Sequence, residues 1–130
     1  MQVFIGGAYN GKTDYVMREH EGQAIFIADG LLPEHVPPFE VVVIKNLDKW
    51  LVTQNLESDE LIIEKILTRI RVLEENCQLS IIVTDMGRGV VPIDRQARLL
   101  RDTCGRLYQQ LFKEANRVVR IWYGIGEELK

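Results

Sequence analysis

The fold is decided by Gly6-Gly7-Ala8-Tyr9-Asn10-Gly11-Lys12-Thr13, a stretch that follows the G-x-x-x-x-G-K-[ST] pattern of phosphate-binding loops. The apolar run Val3-Phe4-Ile5 precedes it, and residues 14–19 have a helical pattern. Strand, glycine-rich loop and helix together are the context in which this pattern binds phosphate. The sequence therefore predicts a nucleotide-binding loop over residues 6–13, with a glycine turn and a surface lysine as the alternative.

The residue types in this stretch suit a phosphate ligand. Glycines have no Cβ, so Gly6, Gly7 and Gly11 let the backbone bend until its N–H groups point inward, and the following helix adds its positive end. We predict that Lys12 bridges the β- and γ-phosphates as a catalytic group, and that the Thr13 hydroxyl binds Mg²⁺. Ala8, Tyr9 and Asn10 complete the predicted nucleotide-binding residues.

Length and composition limit the other possibilities. The 130 residues, 46% of them hydrophobic, suit one compact domain over residues 1–130. A net charge of −3 disfavours nucleic acid as a partner, and no apolar run approaches the roughly 20 residues of a membrane span. We therefore expect a soluble, cytoplasmic protein. Cys77 and Cys104 are too few for a disulfide framework or a metal site, and Cys104 is expected to be a buried free thiol.

Apolar runs alternate with helical patterns, which predicts an α/β fold with a mainly parallel sheet and helices on both faces. The continuously apolar run 24–28 predicts a strand buried on both faces, and prolines predict a loop over 31–40. Ser58 is expected to cap a long central helix, and Gly124-Ile125-Gly126 to end the last strand. The expected strands are 2–5, 24–28, 41–44, 79–84 and 118–123, with helices at 14–19, 48–55, from 59 onward and at about 94–115.

Ligands of such sheets bind outside the carboxyl ends of the strands. This rule directs attention to residues 6–13, to Asp29, to Lys45 and Asn46, and to the loop from Asp85 to Pro92.

The last long helix has an apolar stripe and a basic face. Leu107 and Leu111 belong to the stripe with Cys104, whereas Arg95 and Arg98 lie opposite, directly after the glycine-containing loop 85–92. One interpretation is a solvated face with an Arg98–Asp102 pair. The other is that the arginines contact bound phosphates or a neighbouring subunit.

At this point the motifs resemble one family. The chain is similar to the bifunctional adenosylcobinamide kinase / adenosylcobinamide-phosphate guanylyltransferases of cobalamin biosynthesis. The resemblance is densest over residues 81–126 and the glycine loop. Its residues are Gly6-Gly7-Ala8, Gly11-Lys12-Thr13, Ile27-Ala28, Val83-Thr84, Gly87-Arg88-Gly89-Val90-Val91-Pro92, Arg95, Ala97-Arg98, Arg101-Asp102, Gly105-Arg106 and Gly124-Ile125-Gly126.

The resemblance implies a phosphate-loop domain that uses ATP or GTP with Mg²⁺ to phosphorylate the hydroxyl of a corrinoid's aminopropanol arm. It also implies a homo-oligomer, a trimer, and a second activity that moves GMP through a guanylylated histidine. Gly87, Arg95 and Arg98 join the predicted nucleotide-binding residues.

The chain also departs from the family pattern. Residues 29–40 have no counterpart of the segment that carries the guanylylated histidine, so that role does not pass to His35. Lys45 stands where the family has an acidic residue, and Tyr108 where it has an asparagine. Since a lysine cannot bind a cation, the carboxylates at strand ends, Asp29 and Asp85, are the candidate Mg²⁺ ligands beside Thr13, with Asp85 also catalytic.

Two functions remain open from the sequence. One is a kinase-like transferase acting on adenosylcobinamide. The other is a non-catalytic family member that binds a nucleotide or a corrinoid.

Overall fold

The computed structural model of the protein describes residues 1–36, 38–86 and 93–130. Within these residues, six strands form one sheet in the order β2-β3-β4-β1-β5-β6. Neighbouring strands are parallel except for β6, which is antiparallel to β5. The predicted α/β fold with a mainly parallel sheet is therefore confirmed. The strands are β1 (Gln2–Gly6), β2 (Ile25–Asp29), β3 (Val41–Lys45), β4 (Gln78–Thr84), β5 (Arg117–Trp122) and β6 (Ile125–Glu128).

Helices cover both faces of the sheet. Helix α1 (Lys12–Glu19) packs on one face, where its buried Val16 joins an apolar cluster with Phe4 and Ile121. Helices α2 (Leu47–Leu51), α3 (Asp59–Glu74) and α4 (Arg95–Glu114) contribute to the larger core on the other face. This arrangement leaves the carboxyl ends of the parallel strands, where loops begin, as the edge that can hold a ligand.

The start of α3 differs from the expected cap. Ser58 occupies the N-cap position, but its side chain makes no capping hydrogen bond. Asp59 instead turns inward and accepts hydrogen bonds from Thr103 Oγ1 at 2.9 Å and Arg106 Nε at 3.0 Å on α4. Burial opposes ionisation of Asp59, but these hydrogen bonds hold its pKa below the ordinary value. Asp59, which the sequence predicts as a favourable charge in the first turn of α3, therefore connects α3 to α4.

Two expectations about strands are wrong. The sequence predicted that β2 is buried on both faces, but β2 is an edge strand and Ile27 is 46% exposed. A run of apolar residues does not show whether its strand lies in the centre or at the edge of a sheet. The second error concerns β6, which the sequence analysis did not predict. Tyr123 and Gly124 make a tight turn after β5 rather than ending the sheet, with φ angles of 50° and 77°. Positive φ at both central positions is the type I′ pattern of β-hairpins.

The amino ends of the strands are closed by side-chain hydrogen bonds. Buried His20 shares a hydrogen bond of 2.9 Å with the hydroxyl of Ser80, and its other ring nitrogen lies 3.0 Å from Gln23 Oε1. Arg117 donates to both carboxylate oxygens of Glu19, at 2.7 and 3.0 Å, and these bonds lower the pKa of Glu19. We call this region the amino edge.

Among the described residues, no helix combines the length and the apolarity needed to cross a membrane.

Candidate functional site

The glycine loop, residues 6–13, leaves the end of β1 and enters α1. Gly6 is required by close packing, since a Cβ there would lie 2.4 Å from the carbonyl oxygen of Ile121. Gly11 has φ 78° at the N-cap of α1, a left-handed conformation that glycine adopts without steric cost. The pattern found in the sequence therefore forms a strand–loop–helix connection, as predicted.

Lys12 folds back over the loop. Its Nζ donates a hydrogen bond of 2.6 Å to the carbonyl oxygen of Gly7. Burial lowers the pKa of the Lys12 ammonium group below its ordinary value of 10.5; the charge of Asp48 opposes this shift and that of Lys45 adds to it. A partly buried cation beside a loop of backbone N–H groups is suited to an anionic ligand.

A cavity of about 350 Å³ lies at the start of α1. Tyr9, Asn10, Gly11, Lys12, Thr13 and Asp14 line it on the loop side. The ends of β3 and β4 line the other side with Lys45, Asn46, Ile82 and Thr84. The predicted residues Lys12 and Thr13 thus meet in one cavity with Lys45.

The two predicted carboxylates lie at different distances from the loop. The backbone N–H of Asp85 donates a 2.9 Å hydrogen bond to the carbonyl oxygen of Gly6, so Asp85 adjoins the loop directly. Asp29 ends β2, three strands away from β1, or about 14 Å at roughly 4.8 Å per strand. It accepts a 2.7 Å hydrogen bond from Asn46 Nδ2. Of the two, Asp85 is the carboxylate that the fold brings to the loop.

Sequence reasoning missed a third carboxylate, Asp48. It lies in the first turn of α2, and its charge acts on Lys12 as well as on Cys104 and Tyr108 of α4. Cys104 is buried, as predicted, and burial raises its pKa to about 11. Tyr108 donates a 3.1 Å hydrogen bond to the carbonyl of Thr84. Asp48 follows no strand directly, so the strand-end rule could not find it.

The predicted site residues after β4 are Gly87 in the loop and Arg95 and Arg98 on α4. Gly87 lies outside the described residues. Arg95 makes an ion pair with Glu57, with one contact of 2.8 Å, and Arg98 donates to the carbonyl of Ile93. Asp102 accepts from its neighbour Arg101 at 3.0 Å. The basic face of α4 thus carries an ion pair to Glu57, a bond to a backbone carbonyl and an ion pair within the helix, and its contact with phosphate stays a prediction.

Backbone strain in the described residues is confined to this edge of the sheet. Three non-glycine residues have positive φ: Tyr9 in the glycine loop, Asn46 after β3 and Tyr123 after β5. A left-handed conformation costs roughly 1–2 kcal/mol for a residue with a Cβ. Such strain clusters at ligand sites, so it is a further reason to take this carboxyl edge as the candidate site.

The fold and site together define an α/β protein with a candidate anion site at the carboxyl ends of parallel strands. A sequence model of the family described as cobinamide kinase / cobinamide phosphate guanyltransferase matches residues 21–129. The chain therefore belongs to this family. The match begins after the glycine loop, so the loop pattern and the family membership are separate observations.

A curated relative is named as a bifunctional protein of adenosylcobalamin biosynthesis. The chain is 40% identical over 53 residues to the bifunctional adenosylcobalamin biosynthesis protein CobU of Escherichia coli (strain K12). The aligned stretch covers 41% of this chain and 29% of that protein. The chain thus matches less than a third of the relative's length, and the relative's full activity does not transfer through this likeness.

Proposed function

We propose that this protein is a transferase of cobalamin biosynthesis that phosphorylates adenosylcobinamide with ATP or GTP. The observation that carries the proposal is the glycine loop between β1 and α1, with Lys12 and Thr13 in one cavity. The family membership supports the pathway and the reaction class. The loop supports a triphosphate as the ligand.

The proposed reaction transfers the γ-phosphoryl group to the hydroxyl of the corrinoid's aminopropanol arm. The bond from the γ-phosphorus to the bridging oxygen breaks, and a new bond to the hydroxyl oxygen forms. Nucleoside diphosphate is the leaving group, and the hydroxyl proton is released to water. Lys12 and the loop N–H groups stabilise the charge on the transferred group and on the leaving oxygen. Positioning and electrostatics do most of the work in this chemistry, so a small site suffices.

The donor atoms at this edge suit magnesium. Mg²⁺ is usually held by one or two protein ligands together with phosphate oxygens and water, and a hydroxyl and a carboxylate are ligands of this kind. We propose Thr13 and Asp85 as these ligands, because Thr13 lines the cavity and Asp85 adjoins the loop. Bound magnesium would neutralise charge between the β- and γ-phosphates. Asp29 stays a weaker candidate, since it lies three strands from β1.

A specific observation favours a second function. Lys45 lines the cavity beside Lys12, where the family resemblance implies an acidic residue. An extra cation strengthens nucleotide binding but does not help to hold a metal. The alternative is therefore a non-catalytic member that binds a nucleotide or a corrinoid. We propose no guanylyl transfer, because residues 29–40 contain no counterpart of the segment that carries the family's histidine.

Product analysis separates these functions. The protein is incubated with adenosylcobinamide and either MgATP or MgGTP, and the corrinoid is analysed by mass spectrometry. The proposal predicts a corrinoid heavier by one phosphoryl group and equal amounts of nucleoside diphosphate. Nucleotide binding without such a product would support the non-catalytic alternative.

Domain organisation, cellular location and assembly are further parts of the proposal. We propose that residues 1–130 fold as one nucleotide-binding domain, that the protein works in the cytoplasm, and that it forms a homo-trimer. Light scattering on the purified protein would test the assembly.

A further inference from the structure

The hairpin turn between β5 and β6 rests on the glycine loop. The N–H of Gly124 donates a 2.9 Å hydrogen bond to the carbonyl oxygen of Asn10. A Cβ placed on Gly11 would lie only 3.4 Å from the backbone of Gly124. The turn is therefore held against Asn10 and Gly11, where the loop enters α1. Side chains at the turn would lie beside a nucleotide bound to the loop.

Two aromatic side chains stand at this turn. The ring centroids of Trp122 and Tyr123 are 5.7 Å apart, and the side chains are 62% and 76% exposed. Tyr123 also holds a left-handed backbone at a turn position where asparagine, aspartate and glycine are favoured. A strained, exposed tyrosine contributes little to a core, so its place at the loop needs another explanation.

A second cavity adjoins the turn. It has a volume of about 490 Å³ and is bounded by Gly6, Gly7 and Asn10 of the loop, by Trp122, and by Phe112 and Arg120. Asn10 also lines the smaller cavity that holds Lys12, so the two cavities meet at this residue. The smaller cavity is lined by Lys12, Lys45 and Thr13 together with Asp14, and the larger one by the rings of Phe112 and Trp122 and by aliphatic side chains together with Asp85 and Arg120. The two lysines suit a polyphosphate, and the rings of the larger cavity suit a planar group.

We propose that Trp122 and Tyr123 form the stacking platform for the base of the bound nucleoside triphosphate. The inference rests on the proposed nucleotide binding and deepens it. The strand order places β5 beside β1 on the side away from β4, so the base lies over β5 while Lys12 and Thr13 hold the phosphates. Stacking uses the flat face that every base has, so the platform accepts both adenine and guanine.

A substitution at Tyr123 can remove the ring without disrupting the turn. Tyr123→Gly removes the ring and places the preferred residue at this turn position, so the hairpin is kept. Tyr123→Phe is the matched control, because it keeps the ring and loses only the hydroxyl. Dissociation constants are measured by calorimetry for MgATP, MgGTP and magnesium tripolyphosphate, which has the phosphates and no base. We expect Tyr123→Gly to weaken both nucleotides about tenfold and to leave tripolyphosphate unchanged. Tyr123→Phe should bind all three like the original protein.

Fluorescence reports on the second ring. Trp50, the other tryptophan, is replaced in the variant Trp50→Phe, which leaves Trp122 as the reporter. We expect ATP and GTP to quench its emission and tripolyphosphate to leave it unchanged. Quenching of equal size by tripolyphosphate, or no quenching by bound nucleotide, would overturn the role of Trp122.

The outcomes separate this inference from the function on which it rests. If the original protein binds neither nucleotide nor tripolyphosphate, the proposed function fails and the platform fails with it. If it binds both, but Tyr123→Gly binds nucleotides as tightly as before, the platform alone is overturned. A change in oligomeric state with unchanged nucleotide affinity would assign the ring to a subunit contact and would also overturn the platform.

Discussion

The two ends of the sheet are built from the same strands but in opposite ways. At the amino edge, His20 is bonded to Ser80 and Gln23, and Arg117 to Glu19. At the carboxyl edge, the described residues include Tyr9 and Tyr123 with left-handed backbones and largely exposed rings. The polar side chains of the amino edge are hydrogen-bonded to one another. The carboxyl edge instead has residues with strained backbones and exposed rings around the glycine loop.

This difference is expected if the amino edge stabilises the fold and the carboxyl edge binds a ligand. A strained conformation persists only where the surrounding structure over-determines it, and the β-sheet with its two apolar clusters does so here. We therefore expect substitutions at the amino edge to change unfolding and those at the carboxyl edge to change binding.

The largest effect is expected for Lys12→Ala. The substitution removes the loop's own cation and leaves only Lys45 in the smaller cavity, and we expect affinity for MgATP and MgGTP to fall by about 100-fold or more, or roughly 3 kcal/mol. Calorimetry measures the affinity, and urea unfolding shows whether the fold is kept. Affinity within threefold of the original would mean that the loop does not bind the triphosphate.

Asp85→Asn should act on turnover more than on binding. It removes a carboxylate charge beside Gly6, and we expect a roughly 30-fold slower formation of phosphorylated corrinoid, about 2 kcal/mol in the barrier. Asp29→Asn is the matched control, with a change below about threefold, because Asp29 lies three strands from β1. Equal losses in both variants would contradict the assignment of Asp85 as the nearer ligand.

At the amino edge, Ser80→Ala should lower stability without touching the ligand. It leaves a ring nitrogen of buried His20 without its 2.9 Å partner, which costs about 1–2 kcal/mol in the free energy of unfolding. Ser58→Ala serves as the control, since this exposed side chain makes no capping bond and its loss should change stability by less than about 0.5 kcal/mol. Nucleotide affinity should be unaltered in both variants. A tenfold loss of nucleotide affinity in Ser80→Ala would contradict the hypothesis that the amino edge affects stability but not binding.

The smallest effect is a pH dependence of binding. The Lys12 pKa is lowered by burial, so the ammonium form that attracts phosphate is lost as the pH rises through a value below 10.5. We expect nucleotide affinity to fall as the pH rises from 8 towards 10.5. In Lys12→Arg the affinity should be lower but constant over this range, because the guanidinium stays charged. An equal slope in both proteins would assign the dependence to another group.

The parts of the molecule that could be read from the sequence are those that short stretches encode. The glycine loop is specified within residues 6–13, since each required residue type sits at a fixed spacing. The buried faces of α3 and α4 follow from residues such as Ile66, Ile70 and Leu107, which recur at helical spacing. Parallel-strand topology then predicted the candidate site at the carboxyl edge.

The parts that could not be read depend on partners distant in the chain. Asp59 looked like a helix-start charge until Thr103 and Arg106 appeared beside it. Strand β6 contains a glycine and two glutamates, residues depleted in strands, and forms because a tight turn brings it to β5. The charge of Asp48 acts on Lys12 from α2, and the turn brings Gly124 against Asn10. No local pattern marks such residues.

Amide chemical shifts test the central claim most directly. Isotope-labelled protein is titrated with MgGTP or MgATP, and the shift of each assigned amide is followed. We predict changes concentrated at residues 6–13 and at Lys45, Asp85 and Gly124, with almost none at His20, Ser80 and Arg117. No change on saturation, or changes centred on the amino edge, would contradict the assignment of the carboxyl edge as the nucleotide site.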